Sequence, residues 1–387
     1  MNQGKYVFSQ VVKFLPQRVF DRVTANYQGN KSVKHFTCWN QLLCMIFGQL
    51  SARESLRDLT TTIEAHQSKS YHLGFGKSIT RSNLSKANEK RNYKIFEEFA
   101  NHLIGIAQLK NSNNTFDIKG NIYAFDSSTV DLCLSVFCWA HFRKTKAGIK
   151  LHTLFDINTK IPVFIHITKA NIHDVNAMDV IDYEPLAYYI FDRAYVDYKR
   201  LYRITKAKAY FVVRAKSNIK FNRMYSNKVD KATGIKYDQI GKIEGFYTSK
   251  DYPKKLRKVK FVDKEDGKTL VFLTNNFELS AKDIALLYKQ RWQVELFFKW
   301  IKQHLKVKTF WGRTENAVRI QINIAIITYC LISIIAKDLK TNRSIYEIIQ
   351  ILSASLLDKT PVNELLMKSD RNNVNELNTN QLVFNLF

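Results

Sequence analysis

The chain has 387 residues, with 60 Lys and Arg against 34 Asp and Glu, a formal net charge of +26, and 45% hydrophobic residues of which aromatics contribute 13% of the chain. That length holds two or three domains, and that apolar content excludes global disorder. So basic a balance points to a polyanionic partner, with nucleic acid first, because phosphate backbones reward dispersed Lys and Arg. Cys38, Cys44, Cys133, Cys138 and Cys330 are odd in number and contain no CxxC pair. This argues against a disulfide framework and a zinc ribbon, and fits a reduced, cytosolic compartment. The first residues, MNQGKYVFSQVVKF, lack the apolar core of a signal peptide.

Residues 1–110 read as a helical region. Trp39, Leu42, Leu43, Ile46, Phe47 and Leu50 recur at helical spacing. Ser51 is the predicted cap of the next helix, with Glu54 three residues on as its partner. The stretch from Ile79 to Arg91 follows the turn signal GFGKS. It reads either as the second helix of a helix-turn-helix, with Arg81, Lys86, Lys90 and Arg91 available to phosphates, or as a solvated basic helix. The polar, Asn-rich run 110–121 marks a domain boundary.

A different pattern follows from 119 to 215. Apolar runs at 121–130, 149–156, 161–170, 188–196 and 209–215 predict strands, and 173–181 and 198–207 predict helices. The order describes a mixed α/β layer with a hairpin-rich first half. Residues 216–276 read as a basic, β-rich insertion. Between residues 199 and 260 there are 19 Lys or Arg and 4 Asp or Glu. Asp266-Gly267 marks a hairpin turn there. Residues 277–345 return to helix, beginning at the predicted cap Ser280 with Asp283 as its partner. Ile320 to Ala336 is apolar but short for a membrane span and carries Gln321, Asn323 and Thr328, so it is expected to be a buried core helix. Residues 346–387 form a helical and polar tail, Asn-rich and weakly ordered at its end.

Two runs end alike: AFDSS places Asp126, and IFDRA places Asp192, after a buried strand. Two carboxylates at neighbouring strand ends repel unless divalent cations lie between them, and hard oxygen ligands suit Mg²⁺ or Mn²⁺. The bland alternative is that each Asp merely starts a turn. A continuous helix from Ser280 to Lys306 would place Tyr288, Arg291, Glu295 and Lys302 within one stripe about 60° wide, with Trp292 at its edge. Val294, Phe297, Phe298, Ile301 and Leu305 would form its apolar face. Glu295 could then complete a three-carboxylate site; the alternative is an ordinary solvated stripe.

These residues resemble the YREK signature of DDE insertion-sequence transposases of the IS-four family: Tyr288, Arg291, Glu295 and Lys302. Asp126 in FDSST and Asp192 in FDRAY look like that family's first two catalytic aspartates, and the 216–276 segment like its β-rich insertion. The N-terminal helices resemble a domain fused ahead of some members. The resemblance implies an RNase H-like core, two Mg²⁺ or Mn²⁺ ions held by Asp126, Asp192 and Glu295, and phosphoryl transfer in cut-and-paste transposition. It implies double-stranded DNA partners (terminal inverted repeats and target), a homodimer, a place in the bacterial cytosol or nucleoid, and no membrane. Tyr288, Arg291 and Lys302 would hold phosphates near the cleaved end, and Trp292 would stack on an unpaired base.

Arg193 either orients a phosphate or pairs with a carboxylate. His141, His152, His166, His173, Cys133 and Cys138 fit no tetrahedral zinc spacing. His173-Asp174 reads as a helix cap. Two rivals remain at this point: an RNase H-fold nuclease without strand transfer, and an inactive or domesticated DNA-binding protein.

Overall fold

Capping and apolar spacing account for the helices at the start of the chain. The computed structural model describes residues 4–77, 79–112, 118–143, 146–264, 267–304 and 310–367. The helices before the first strand are α1 (Val7–Val12), α2 (Gln17–Asn26), α3 (Cys38–Leu50), α4 (Leu56–Ala65), α5 (Arg81–Lys90) and α6 (Lys94–Asn111). Thr37 and Asn40 cap α3 reciprocally. The expected cap Ser51 instead closes α3: its N–H donates to Phe47 O at 2.8 Å and its hydroxyl to the same carbonyl at 2.7 Å. Ser55 caps α4, accepting from the Asp58 N–H at 3.1 Å. Two Ser-x-x-acid patterns competed, and Ala52, in a left-handed turn at φ 55°, ends the first helix before the second begins.

The strands are β1 (Ile122–Leu132), β2 (His141–Arg143), β3 (Lys146–Asp156), β4 (Ile161–Lys169) and β5 (Tyr188–Phe191), then, after α7 (Tyr198–Lys206), β6 (Tyr210–Arg214), β7 (Phe221–Asn227) and β8 (Ile235–Ile243). Helix α8 (Phe246–Asp251) leads to β9 (Leu256–Val262) and β10 (Thr269–Thr274). The chain ends in α9 (Ala281–Lys289), α10 (Trp292–His304), α11 (Glu315–Asp338), α12 (Ile345–Ser355) and α13 (Val362–Leu366). The stretch 173–181, read as helix, is a 3₁₀ segment from Asp174 to Val180.

Strand order runs β4-β3-β1-β5-β6-β10-β9-β8-β7, with β2 also on β3. β4, β3 and β1 are antiparallel neighbours, while β1, β5 and β6 run parallel. An antiparallel hairpin feeding two parallel strands is the RNase H-like arrangement. The basic insertion does not form a separate layer: β10 pairs antiparallel with β6, so the same sheet continues through β7. Residues 265–266, including Asp266 of the expected turn, lie outside the described residues. The chain either side pairs as a hairpin, Thr269 opposite Val262.

Alternation sorts the sheet into two faces. Ile122 and Ala124 of β1 and Tyr188 and Ile190 of β5 join a core shared with the N-terminal helices and α9 to α11. Tyr123, Phe125, Tyr189 and Phe191 join the opposite core, with Leu201 and Ile204 of α7.

Helix α11 is long and apolar enough to cross a membrane, yet 94% of its most apolar window is buried inside the protein. Its polar residues tie it to the N-terminal helices. Gln49 donates to Gln321 O at 3.3 Å and accepts from the Thr328 hydroxyl at 3.0 Å. Gln321 Oε1 also accepts the Trp311 N–H at 2.8 Å. Trp311 packs so closely on α3 that a Cβ at Gly48 would come within 2.6 Å of its ring. After α12 the chain returns to α1, where Val7 donates to Asp358 O at 2.8 Å. Residues 368–387, the end of the expected polar tail, lie outside the described residues.

One arginine of the basic stretch serves the fold rather than a polyanion. Arg257 forms a two-pronged pair with Asp238, 2.8 and 2.9 Å, and donates to Leu279 O at 2.6 Å. Both side chains are 5% exposed. The pair joins β8 and β9 to the turn that launches α9. Removing one partner strands a buried charge, so Arg257→Ala should cost about 3–5 kcal/mol. Denaturant unfolding checks this; an unchanged midpoint would contradict a structural role.

Candidate active site

Register and alternation bring Asp126 and Asp192 together. Phe125 lies opposite Phe191 in the parallel β1–β5 pair, so the next residue on each strand is an aspartate. Continuing the alternation puts both on the face of Ala124 and Ile190, the side occupied by α9 to α11. Asp192 follows the end of β5 as expected. Asp126 does not end a strand: β1 runs on to Leu132, paired with β3, after its parallel neighbour has stopped. The apolar run ends at Asp126 because burial falls there, not because the strand does. Asp126 Oδ1 accepts the Ser127 N–H at 2.8 Å.

The helix expected from Ser280 to Lys306 is broken. Ser280 caps α9, its Oγ accepting the Asp283 N–H at 3.1 Å. Arg291 then donates its N–H to Tyr288 O at 3.1 Å, and Val294 to Arg291 O at 3.2 Å. These i to i−3 bonds make a tight 3₁₀-type junction between α9 and α10. The one-helix stripe is therefore two pieces, and both pieces still deliver its polar residues to the aspartates. Leu305 and Lys306 lie outside the described residues.

Tyr288, in the last turn of α9, packs tilted against Phe272 with ring centres 4.7 Å apart and donates its hydroxyl to Asp192 Oδ1 at 3.1 Å. Burial first, and Asp192 next, push its pKa up to about 12. Arg291, in the junction, donates from Nη1 to Asp126 Oδ2 at 2.8 Å and from Nη2 to Glu295 Oε1 at 2.5 Å. Burial opposes its charge, but Tyr288, Asp126 and Glu295 outweigh burial and raise its pKa. Glu295 lies in the first turn of α10. Lys302 reaches back to β1 and donates to Thr129 O at 2.6 Å. Trp292 opens α10 and is 58% exposed.

Burial pushes Asp126 up to about 6, against the Ser127 N–H and Arg291, and Glu295 and Asp192 add to the rise. Glu295 and Asp192 thus both act on Asp126, and one guanidinium bridges Asp126 and Glu295. Among the described residues, no group of three His, Cys, Asp or Glu is close enough to hold an ion as it stands. Arg291 separates Glu295 from Asp126. The donors are hard oxygens with more negative charge than Arg291 offsets, the set that suits Mg²⁺ or Mn²⁺ once Arg291 turns aside.

The remaining candidates fall elsewhere. Arg193 is exposed in the 3₁₀ turn after Asp192 and makes no ion pair among the described residues. His173 occupies the position before the 3₁₀ segment without a side-chain cap bond, while Asp174 pairs with Lys150 at 3.0 Å. His152 and His166 face each other across β3 and β4, and burial lowers His152 to about 4. All five cysteines are free. Arg91, expected to face phosphates, is committed inward, donating to Thr37 O at 2.8 Å and Gln41 Oε1 at 2.9 Å. Two contributors escaped the sequence, the Ser127 N–H and the Thr129 carbonyl, because backbone groups carry no residue-type signal.

Residues 118–331 match the family described as the transposase DDE domain, and residues 3–76 match a domain of unknown function, DUF4372. A protein named as transposase y4zB of Sinorhizobium fredii is 36% identical over 66% of this chain and 71% of its own. One named as the transposase for insertion sequence element IS5377 of Geobacillus stearothermophilus is 34% identical over 54% of each chain. One named as the transposase for insertion sequence element IS4SA of Synechocystis sp. is 25% identical over 73% of this chain and 80% of its own.

Arg291→Ala should leave Asp126 and Glu295 facing each other without a cation. Their side chains are 18% and 33% exposed, so solvent screens part of the penalty and about 1–3 kcal/mol is expected. Thermal melts without divalent ions should show a lower midpoint, and Mg²⁺ should restore more of it in the variant than it adds to the parent protein. Identical melts would show that Arg291 holds no tension between the acids.

Proposed function

This chain belongs to the transposase DDE domain family, and from that premise we propose that it is the transposase of an insertion sequence, cutting DNA at terminal inverted repeats and joining the 3′-hydroxyl ends to a target by two-metal phosphoryl transfer. The observation that carries this reading is the convergence of Asp126 and Asp192, adjacent on parallel strands, with Glu295 across a single shared guanidinium.

In this reading Asp126, Asp192 and Glu295 hold two Mg²⁺ or Mn²⁺ ions. Divalent ions bound there would lower the pKa of an attacking water or 3′-hydroxyl and neutralise charge on the leaving oxygen. The protein's remaining task is positioning, which needs no nucleophilic Ser or Cys. Tyr288, through its hydrogen bond, fixes the rotamer of Asp192. Lys302 lies along β1 three residues beyond Asp126, placed to take a phosphate of the same strand. Arg291 exchanges its carboxylates for phosphate oxygens, keeping a fork geometry that suits either anion. Arg193, exposed beside Asp192, adds a further phosphate contact. Trp292, on the open side of the junction, stacks on a base displaced near the cut. Two ends must be cut and joined together, which calls for a homodimer.

A strand-transfer assay on end-containing duplexes with Mg²⁺ tests the whole reading. Joined product supports it. Cleavage without joining indicates a nuclease, and a bound complex without reaction an inactive DNA-binding protein. Asp126→Ala, Asp192→Ala and Glu295→Ala should each abolish metal-dependent cleavage while end binding persists; a residue whose replacement still cleaves is not a ligand. Trp292→Ala should slow the step that needs a distorted end more than the first nick, by about fivefold to 150-fold if stacking contributes about 1–3 kcal/mol. Equal slowing of both steps would remove the stacking role.

A further inference from the structure

The N-terminal helices carry a cleft that the carboxylate site does not use. It is open, about 620 Å³ in volume, and lies between α5 and the loop 27–36. Helix α5 lines it with Lys86 and Lys90, one turn apart, and the loop with Lys31, Lys34 and His35. All four lysines are exposed, and no Asp or Glu lines the cleft among the described residues.

Both walls are held in place from beneath. Arg91, at the end of α5, donates to the carbonyls of Phe36 and Thr37 and covers the Phe36 ring at 5.3 Å. Asn30 accepts the Cys38 N–H at 2.8 Å. Gly29 is packed so tightly that a Cβ there would come within 2.5 Å of Ile95 Cδ1. A cleft fixed by packing loses little freedom when a ligand enters.

Its chemistry selects among polyanions. Lysines are point charges that meet phosphates without reading bases. The one guanidinium in the cleft, Arg91, is spent on backbone carbonyls and is closed to guanine edges. The rings are no open stacking platform for single strands: Phe36 is buried beneath Arg91, and Tyr27 is half-buried. We propose that this cleft grips the phosphate backbone of duplex DNA, independently of sequence, so that the N-terminal helices act as a clamp on the DNA delivered to the carboxylate site. The proposal rests on the reading of the chain as a transposase.

The cleft is also coupled to that site. Asn316, in the first turn of α11, donates to the carbonyls of Asn88 and Arg91 at 2.9 and 2.6 Å and accepts the Tyr93 N–H at 3.2 Å. The end of α5 is therefore held against the first turn of α11.

The test compares the full chain with K31A/K34A/K86A/K90A, measuring binding to an end-containing duplex and to a scrambled duplex across a salt series. Each lost phosphate contact should reduce the salt slope by about 0.9, so the quadruple variant should lose a slope of about 3–4. Affinity for both duplexes should fall more than about tenfold at ~0.1 M salt. The corresponding quadruple Lys→Arg variant should keep both affinity and slope. Should the alanine variant fold poorly, Lys86→Glu alone should lower affinity for both duplexes. Unchanged slope and affinity would overturn the clamp while leaving the transposase reading intact. A loss confined to the end-containing duplex, or to single-stranded RNA, would overturn it as well. Failure of the parent protein to cut or join ends would instead sink the reading on which the clamp rests.

Discussion

A partly buried carboxylate with acidic neighbours, held by one guanidinium, governs the centre of this molecule. Burial, with Glu295 and Asp192 adding to it, raises the Asp126 pKa to about 6, although Arg291 lies 2.8 Å from it. A buried cluster of like charge is tolerable only with a cation among its members. The fold creates that problem rather than avoiding it: parallel register sets the two aspartates side by side, and the α9–α10 junction brings the glutamate in behind its own arginine. A cluster that accepts a guanidinium in one state can accept metal ions in another, provided the guanidinium has somewhere else to go. DNA phosphates provide that destination, so substrate and metal would favour the same rearrangement of Arg291.

The aspartates were legible because each follows an apolar run, and burial of a strand up to a charged residue is a strong pattern. The reading of Asp126 as a strand end failed for a specific reason. Burial and strand continuation usually stop together, but β1 outlasts β5 by pairing with β3, and Ser127 to Thr129 remain in the ladder while half-buried or exposed. The helix break at Gln290 and Arg291 carried no local sign, since neither residue disfavours helix. It is a tertiary feature: Tyr288 is drawn toward Asp192 and Arg291 toward Asp126, while α10 packs Phe297 against Phe155 of β3 at 5.1 Å. Competition between Ser51 and Ser55 was likewise undecidable locally, because both stand three residues before an acid.

Charge was legible in sum but not residue by residue. The excess of Lys and Arg pointed to a polyanionic partner, yet Arg91 and Arg257 point inward and satisfy backbone carbonyls or a buried aspartate. Arginine is the basic residue suited to such burial, because its planar fork can satisfy several acceptors at once. Lysines hold their charge at the surface on flexible stems. In the cleft of the N-terminal helices that division is plain: one arginine builds the floor and four lysines supply the charge.

The same division explains how a basic cleft and an acidic site can serve one substrate without competing for it. A lysine-lined cleft contributes affinity that salt screens, and its grip is indifferent to sequence and small shifts along the duplex. The carboxylate site cannot supply affinity of that kind, because its own field repels phosphate until cations arrive. Attraction at a distance and chemistry at the centre must therefore be held by separate elements joined rigidly enough to share one DNA. The buried contacts of α11 meet that requirement: Asn316 fixes the end of α5, Gln321 and Thr328 fix α3, and Tyr329 meets Phe297 of α10 edge-on at 5.1 Å. An apolar helix with a few polar residues, which on composition alone resembles a membrane span, is here the beam connecting the two.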